Sequence, residues 1–266
     1  MFDKGKQNIL GVLVSAVDSE TAVARVIAAA VERAPLAVSA MAVHGIMTGY
    51  LDSEHKHRLN SFDMILPDGQ PVKWAIEWLH GIDLPNRVYG PMLMIETCAE
   101  AERLAFPIFL YGSTEEVLRK LSIRLRQKFP SLQIAGTMGS RFRRLSTQEK
   151  GDVISYIRNS GARVVFVGLG CPRQEIWAYE FRNALSLPVV TVGGAFSVHA
   201  GVSSQAPKWM QNRGLEWVFR LVAEPGRLWK RYLLLNPLFL GALGLQMLGL
   251  RFDTSGREPQ VEALHG

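Results

Sequence analysis

Apolar runs of strand length alternate with amphipathic stretches of helical period along most of this chain. The order begins with NILGVLVSAV, read as a first strand, then a helix from about Glu20 to Arg33, the run PLAVSAMAV, and a polar helix around Asp52 to Asn60. It continues with FDMILPDG, a helix from Pro71 to Leu79, AFPIFLYG, a helix from Thr114 to Lys128, LQIAGTMG and a helix from Thr147 to Ser160. This alternation predicts an α/β domain, a Rossmann-like, mostly parallel sheet flanked by helices. Parallel neighbours need crossover helices, and ligands of such sheets bind outside the carboxyl ends of the strands. Functional residues are therefore expected just after the strands: His44, Asp68 with Gly69, Tyr111 with Gly112, Thr137 with Gly139, and the segments 168–174 and 193–199.

Two of these strand ends frame one helix between Val164 and Gly201, in VVFVGLGCPRQEIWAYEFRNALSLPVVTVGGAFSVHAG. The first run stops at Gly168 and Gly170, and Pro172 sits where a first helical turn favours proline. A helix N-terminus preceded by glycine offers backbone donors and a positive dipole end to an anion, so the unit suggests a phosphorylated ligand. Gly193 and Gly194, lacking Cβ atoms, would let a ligand approach the second turn, although glycine pairs also serve tight packing. Phe196 could stack on a base or be a buried aromatic; Gln174 could reach a sugar or uracil edge, while Glu175 beside it suits the helix dipole. His199 reads equally as a bonded loop histidine or a catalytic one.

With 266 residues and 48% hydrophobic content, the chain can bury a core of α/β size. Cys98 and Cys171 are too few and too far apart for a disulfide framework or a zinc cluster, which favours a reducing compartment. The N-terminus has no cleavage pattern of a signal peptide. The net charge of +6 is concentrated: Lys208, Arg213, Arg220, Arg227, Lys230 and Arg231 face only Glu216 and Glu224 between Gln205 and Arg231. Trp209, Trp217 and Trp229 share that segment, and nineteen uncharged residues from Tyr232 to Leu250 follow. Basic residues, tryptophan and an apolar flank point to an anionic membrane surface rather than to nucleic acid. Four excess charges at about 1 kcal/mol each give only about 4 kcal/mol, so apolar insertion must add to reversible docking. Asn236-Pro237, three glycines and Gln246 argue for an interfacial or re-entrant segment over a continuous spanning helix. The expected division is a catalytic domain at 1–204, a docking appendage at 205–250 and a disordered tail at 251–266.

No DxD sequence occurs, so the usual carboxylate pair that holds a divalent metal against a sugar nucleotide is missing, and no metal or other cofactor is expected. The blocks FDMILPDG, GLGCPRQEIW, VGGAFSVHAG, APKWMQNRGLEWVFRL and EPGRLWKRYLLLNPLF, in this order, resemble the TagA/WecG/CpsF group, glycosyltransferase family twenty-six, from about Ile9 to Leu240. The resemblance implies an inverting, metal-independent hexosyltransferase of N-acetylmannosaminyl, uronosyl or glucosyl type. Such an enzyme moves a sugar from a UDP-sugar to a polyprenyl-diphosphate-linked sugar in bacterial cell-surface polysaccharide assembly. It implies peripheral attachment to the cytoplasmic face of the inner membrane through a C-terminal helical appendage, and it allows a homo-oligomer.

By this resemblance Asp68 matches the proposed base and Arg87 an arginine near the active site. A carboxylate at Asp68 could accept the proton of the attacking hydroxyl; read from local sequence alone, Pro-Asp-Gly makes a turn or caps the helix near Pro71. Arg87 alone reads as a solvated loop arginine. Tyr111, Gly112, Thr137, Gly168, Gly170, Gln174, Gly193, Gly194 and Phe196 are the expected UDP-sugar contacts. Arg220 and Arg227, by position, are candidates to reach the diphosphate, and Lys230 and Arg231 extend the same rough helical stripe toward the membrane, with Pro225 interrupting it. Ala40, Ala42, Met92 and Ser197 stand where the family usually has polar residues, and His44 is placed to replace one of them. A non-catalytic nucleotide-sugar-binding membrane partner is the alternative reading. A dinucleotide oxidoreductase is a weaker one, since GLGCPRQE lacks the G-x-G-x-x-G spacing.

Overall fold

The computed structural model describes residues 1–266, apart from the side chains of Lys208, Asn212, Arg227 and Arg231. The chain opens with an antiparallel hairpin, β1 (Asp3–Ile9) and β2 (Val12–Val17), which forms its own two-stranded sheet. The run expected to be one strand therefore folds back on itself. Leu10 and Gly11 both take positive φ (53° and 88°), the backbone of a two-residue turn whose twist matches a hairpin. The chain continues through α1 (Ser19–Glu32), β3 (Leu36–Met41), α2 (Val43–Leu51), α3 (Ser53–Asn60), β4 (Met64–Pro67), α4 (Gln70–His80) and α5 (Gly90–Arg103). Then follow β5 (Ile108–Gly112), α6 (Glu115–Lys128), β6 (Ile134–Met138), α7 (Thr147–Asn159), β7 (Val164–Gly168), α8 (Arg173–Leu185), β8 (Pro188–Thr191) and α9 (Ala195–His199).

Six of these strands form one sheet in the order β4-β3-β8-β7-β5-β6, and every pairing is parallel. Side chains alternate between two cores. Ala37, Phe109, Val165 and Val189 enter one layer, and Val38, Leu110, Phe166 and Val190 the other. Because helices cover both faces, the strands read as unbroken apolar runs rather than as alternating ones. All six strands point their carboxyl ends the same way, and the candidate site residues gather on that edge.

The appendage consists of α10 (Lys208–Asn212), α11 (Glu216–Ala223) and α12 (Pro225–Met247). The expected basic stripe from Arg220 onward is broken, because α11 ends at Ala223 and Pro225 starts a new helix in the first turn, where a missing N–H costs nothing. Beyond it, α12 runs unbroken through Asn236-Pro237. Packing explains its persistence. Leu228, Phe239, Ala242 and Leu243 recur with helical spacing and are buried. On the same side the Gln246 amide donates to Asn8 O (3.0 Å) and accepts from Leu10 N (2.9 Å). The other side carries exposed Trp229, Leu233, Leu234 and Leu240. Among the described residues, no helix is long and apolar enough to cross a membrane.

The tail at 251–266, expected to be disordered, lies along the domain. The Asn8 and Asn60 side-chain amides donate to the carbonyls of Phe252 (2.8 Å) and Thr254 (2.7 Å), and Arg257 N donates to Ser53 O (3.1 Å). Leu264 is buried beside Leu145, whose N–H donates to its carbonyl (2.9 Å). Backbone capture by two asparagines fixes a segment whose own composition is polar.

Candidate active site

The carboxyl ends of β3 and β4 open into a cavity of about 130 Å³, and His44, Asp68, Arg87, Glu216, Arg220 and Tyr232 are among its walls. Asp68 immediately follows β4, held by its N–H bond to Met41 O (3.1 Å). The cap of α4 is Gly69, not Asp68: with φ 103° this position suits glycine, and it leaves the Asp68 side chain to accept from the N–H of Gly90, the first residue of α5. His44 enters from the first turn of α2, beside Ala42. Arg87 comes from the loop before α5, and Glu216, Arg220 and Tyr232 come from the appendage.

Glu216 ties the two arginines together. Arg87 Nη1 donates to Glu216 Oε2 at 2.8 Å, and Arg220 Nη2 lies 3.2 Å from Glu216 Oε1. Arg87 Nη2 donates to Gln211 Oε1 at 2.9 Å, and its guanidinium carbon stands 4.6 Å from the Tyr89 ring centre. Arg87 is thus a fixed, largely buried arginine rather than a solvated loop residue. Burial raises the Asp68 carboxyl from 3.8 to about 6, with the Glu216 charge adding to the shift; Arg220, Arg87 and the Gly90 N–H oppose it. A carboxylate titrating there is ionised at neutral pH and more basic than an ordinary aspartate.

At about 130 Å³ this cavity is smaller than the roughly 300–1,000 Å³ usual for ligand sites. Arg87 and Gln70 also line an adjoining cleft of about 730 Å³, which runs past Lys73, Tyr89 and Met92. The two spaces share a wall, and the smaller one holds the titrating group.

The glycine turns are built differently from the expectation. Gln174 is buried, and its Oε1 accepts from both Gly170 N (3.2 Å) and Gly193 N (3.0 Å), while its Nε2 donates to Glu175 Oε1 (2.7 Å). Those two backbone donors point at a protein strut, and Gln174 joins the turns instead of presenting its amide to a ligand. Phe196 is 1% exposed and packs directly over Gly168, where a Cβ would stand 2.6 Å from the ring, so it is core and offers no face for a base. Tyr111 is equally buried, its ring 4.6 Å from that of Trp177. Gly112, at φ 103°, lets its strand approach the Gly168 backbone, which a Cβ would meet at 2.9 Å. Gly194 faces open space, and Thr137 is partly exposed on edge strand β6. His199 Nε2 bonds to Pro91 O at 2.8 Å. Neither cavity is lined by residues 168–174 or 193–199.

The sequence-expected residues that come together are therefore His44, Asp68, Arg87 and Arg220. Lys230 is exposed, 5.5 Å from the Trp229 ring centre; Arg227 and Arg231 lie outside the described side chains. Glu216, Gln211 and Tyr232 were not expected in the site, although Gln211 and Glu216 fall within the APKWMQNRGLEWVFRL block and Tyr232 within EPGRLWKRYLLLNPLF.

A parallel sheet whose carboxyl edge sets one titrating carboxylate against two arginines has the build of an α/β enzyme for an anionic substrate. The comparison with known proteins narrows that class. Residues 7–252 match the model described as the glycosyl transferase WecG/TagA/CpsF family, and the chain belongs to this family. It is 32% identical over 183 residues to an N-acetylglucosaminyldiphosphoundecaprenol N-acetyl-beta-D-mannosaminyltransferase of Bacillus subtilis (strain 168), covering 68% of this chain and 69% of that one. A protein of the same name from Bacillus spizizenii (strain ATCC 23059 / NRRL B-14472 / W23) is 32% identical over 176 residues, 66% of each chain.

Proposed function

We propose that this protein transfers a sugar from a UDP-sugar to a polyprenyl-diphosphate-linked sugar at the cytoplasmic face of a bacterial membrane, in cell-surface polysaccharide assembly. The observation that carries the reading is the convergence of Asp68 with Arg87 and Arg220 in one cavity, closed by a helical appendage whose far side is apolar and exposed. The names of the two Bacillus relatives support a lipid-linked N-acetylglucosaminyl diphosphate as acceptor and N-acetylmannosamine as the transferred sugar.

In this mechanism the acceptor hydroxyl oxygen attacks C1 of the donor sugar from the face opposite the diphosphate, inverting that carbon. Its proton passes to the Asp68 carboxylate. The C1–O bond to the diphosphate breaks, and its electron pair leaves on the UDP oxygen. Arg87 and Arg220, released from Glu216, neutralise the departing charge, so no divalent metal is needed for that step. The donor spans the small cavity and the adjoining cleft, with Arg87 at their shared wall. The exposed apolar face of α12, with Lys230 and Trp229, rests on anionic lipid and brings the cavity to the acceptor.

The test is a panel of radiolabelled UDP-sugars with a short polyprenyl-diphosphate N-acetylglucosamine acceptor, run with and without added magnesium or manganese. Transfer by the wild type, indifferent to those metals and lost in Asp68→Ala, is expected. Binding of donor without turnover across the panel would favour a non-catalytic role, and full transfer by Asp68→Ala would overturn the assignment of the base.

A further inference from the structure

Away from the Asp68 cavity, beside the turn that links β7 to α8, three side chains converge: His55 of α3, Cys171 of the turn and Glu175 of α8. A ring nitrogen of His55, the Cys171 sulfur and a Glu175 carboxylate oxygen all lie within 4.8 Å of one another. His55 and Glu175 are each 1% exposed. Both ring nitrogens of His55, and Oε2 of Glu175, are buried without a hydrogen-bond partner among the described residues. Buried polar atoms are rarely left unsatisfied, because the interior gives nothing back for the lost water. Here the unsatisfied atoms belong to two of the three converging side chains, and all three are of metal-ligating type.

We propose that His55, Cys171 and Glu175 bind a zinc ion. Imidazole nitrogen, thiolate sulfur and carboxylate oxygen together make a borderline donor set of the kind zinc takes, and three protein ligands leave the fourth tetrahedral position to water. On binding, the Cys171 thiol gives its proton to solvent and the sulfur–zinc bond forms, with no change of oxidation state. The thiolate and the Glu175 carboxylate together balance the dication. That balance matters because the Arg58 guanidinium, one turn further along α3, is also buried. One ligand is already oriented: Glu175 Oε1 accepts from Ser39 Oγ (2.9 Å) and from Gln174 Nε2 (2.7 Å), which fixes the carboxylate. Cys171 is partly exposed, giving the ion a way in.

None of the three ligands lines either cavity, so the ion takes no part in the proposed transfer. It pins α3 to the turn after β7 and to α8, and through Gln174 it steadies the pair of glycine turns. The mixed ligand set explains why cysteine counting alone does not find it.

The experiment uses the full-length protein, stripped by dialysis against a chelator, then titrated with zinc in competition with a chromogenic chelator. Cobalt is added to a parallel sample. The wild type is expected to take up one equivalent of zinc and to give a thiolate-to-cobalt charge-transfer band. Cys171→Ser should remove the band, and both Cys171→Ser and His55→Gln should bind zinc at least about a hundredfold more weakly, since even the loss of an outer-shell partner costs about 10–100-fold. The cobalt spectrum of the wild type needs no variant, so a misfolded mutant cannot imitate the result. Absence of the band in the wild type overturns the proposal, as does unchanged zinc affinity in a Cys171→Ser protein whose circular dichroism is native.

Discussion

Replacing Asp68 by asparagine is expected to stabilise the fold at neutral pH while abolishing transfer. The native carboxyl titrates at about 6 because burial and the Glu216 charge disfavour its ionised form, whereas the unfolded chain releases this proton near 3.8. As pH rises through that window the unfolded state loses the proton first, so stability falls, and the cost is fully present above pH 6. A displacement of about 2 units corresponds to roughly 3 kcal/mol, an upper figure because the side chain is partly exposed to the cavity. Asparagine keeps the shape and an oxygen for the Gly90 N–H but never carries the charge. Urea unfolding followed by circular dichroism at pH 7.5 and pH 4.0 measures the difference. The variant should be more stable by about 1–3 kcal/mol at the higher pH and by well under 1 kcal/mol at the lower, where the native wild type is already protonated. An equal difference at the two pH values, or a variant less stable at pH 7.5, would refute the claim that a buried charge at Asp68 is held against a folding cost.

Transfer itself should fall about tenfold per pH unit below about 6, measured as kcat/KM between pH 5 and 8, because only the ionised Asp68 accepts the proton; Glu216→Gln removes a charge that raises the Asp68 pKa and should move this limb to lower pH. Gln174→Ala leaves Gly170 N and Gly193 N without their acceptor and should cost about 2–4 kcal/mol of unfolding free energy, read by urea titration; a cost below about 1 kcal/mol would show that the strut is dispensable. Trp229→Ser with Leu233→Ser strips apolar area from the exposed side of α12 and should abolish co-sedimentation with anionic vesicles while leaving the melting temperature within a few degrees, since neither side chain is in the core.

The sheet was legible because parallel strands covered on both sides leave a coarse signature. Runs such as VVFVG and PIFLYG carry no charged position, and each ends in glycine. What was illegible lacked contrast of the same kind. The Leu10-Gly11 turn sits inside ten nearly continuous apolar residues, so one strand and a hairpin have the same pattern until φ is known. In VHGIMTGYL, α2 is apolar almost all round and carries two glycines, and so lacks the polar face by which a helix announces itself. The tail is illegible for the opposite reason: its polar composition says nothing of Asn8 and Asn60, which hold its carbonyls from far away in sequence.

The site divides along a similar line. Asp68 and His44 come together because both follow strand ends, and strand ends of a parallel sheet share one edge whatever the order of the strands; Arg87, on the loop before α5, is legible only through the family resemblance. Glycine turns carry less information about chemistry. A backbone N–H beside glycine looks available to phosphate until its acceptor is located, and here Gln174, a residue expected to touch ligand, is that acceptor. Glu216 is hard to single out from sequence because, with Glu224, it reads as local charge balance within a basic segment, while its partner Arg87 lies 129 positions away. That pairing also bears on how the cavity is used. In the proposed transfer, the donor diphosphate would bring more negative charge to Arg87 and Arg220 than one carboxylate does, with oxygens in the geometry a guanidinium fork prefers. Glu216 therefore holds both arginines in place and satisfied when no substrate is bound, at a side chain only 21% exposed, where either cation left unpaired would carry a desolvation cost.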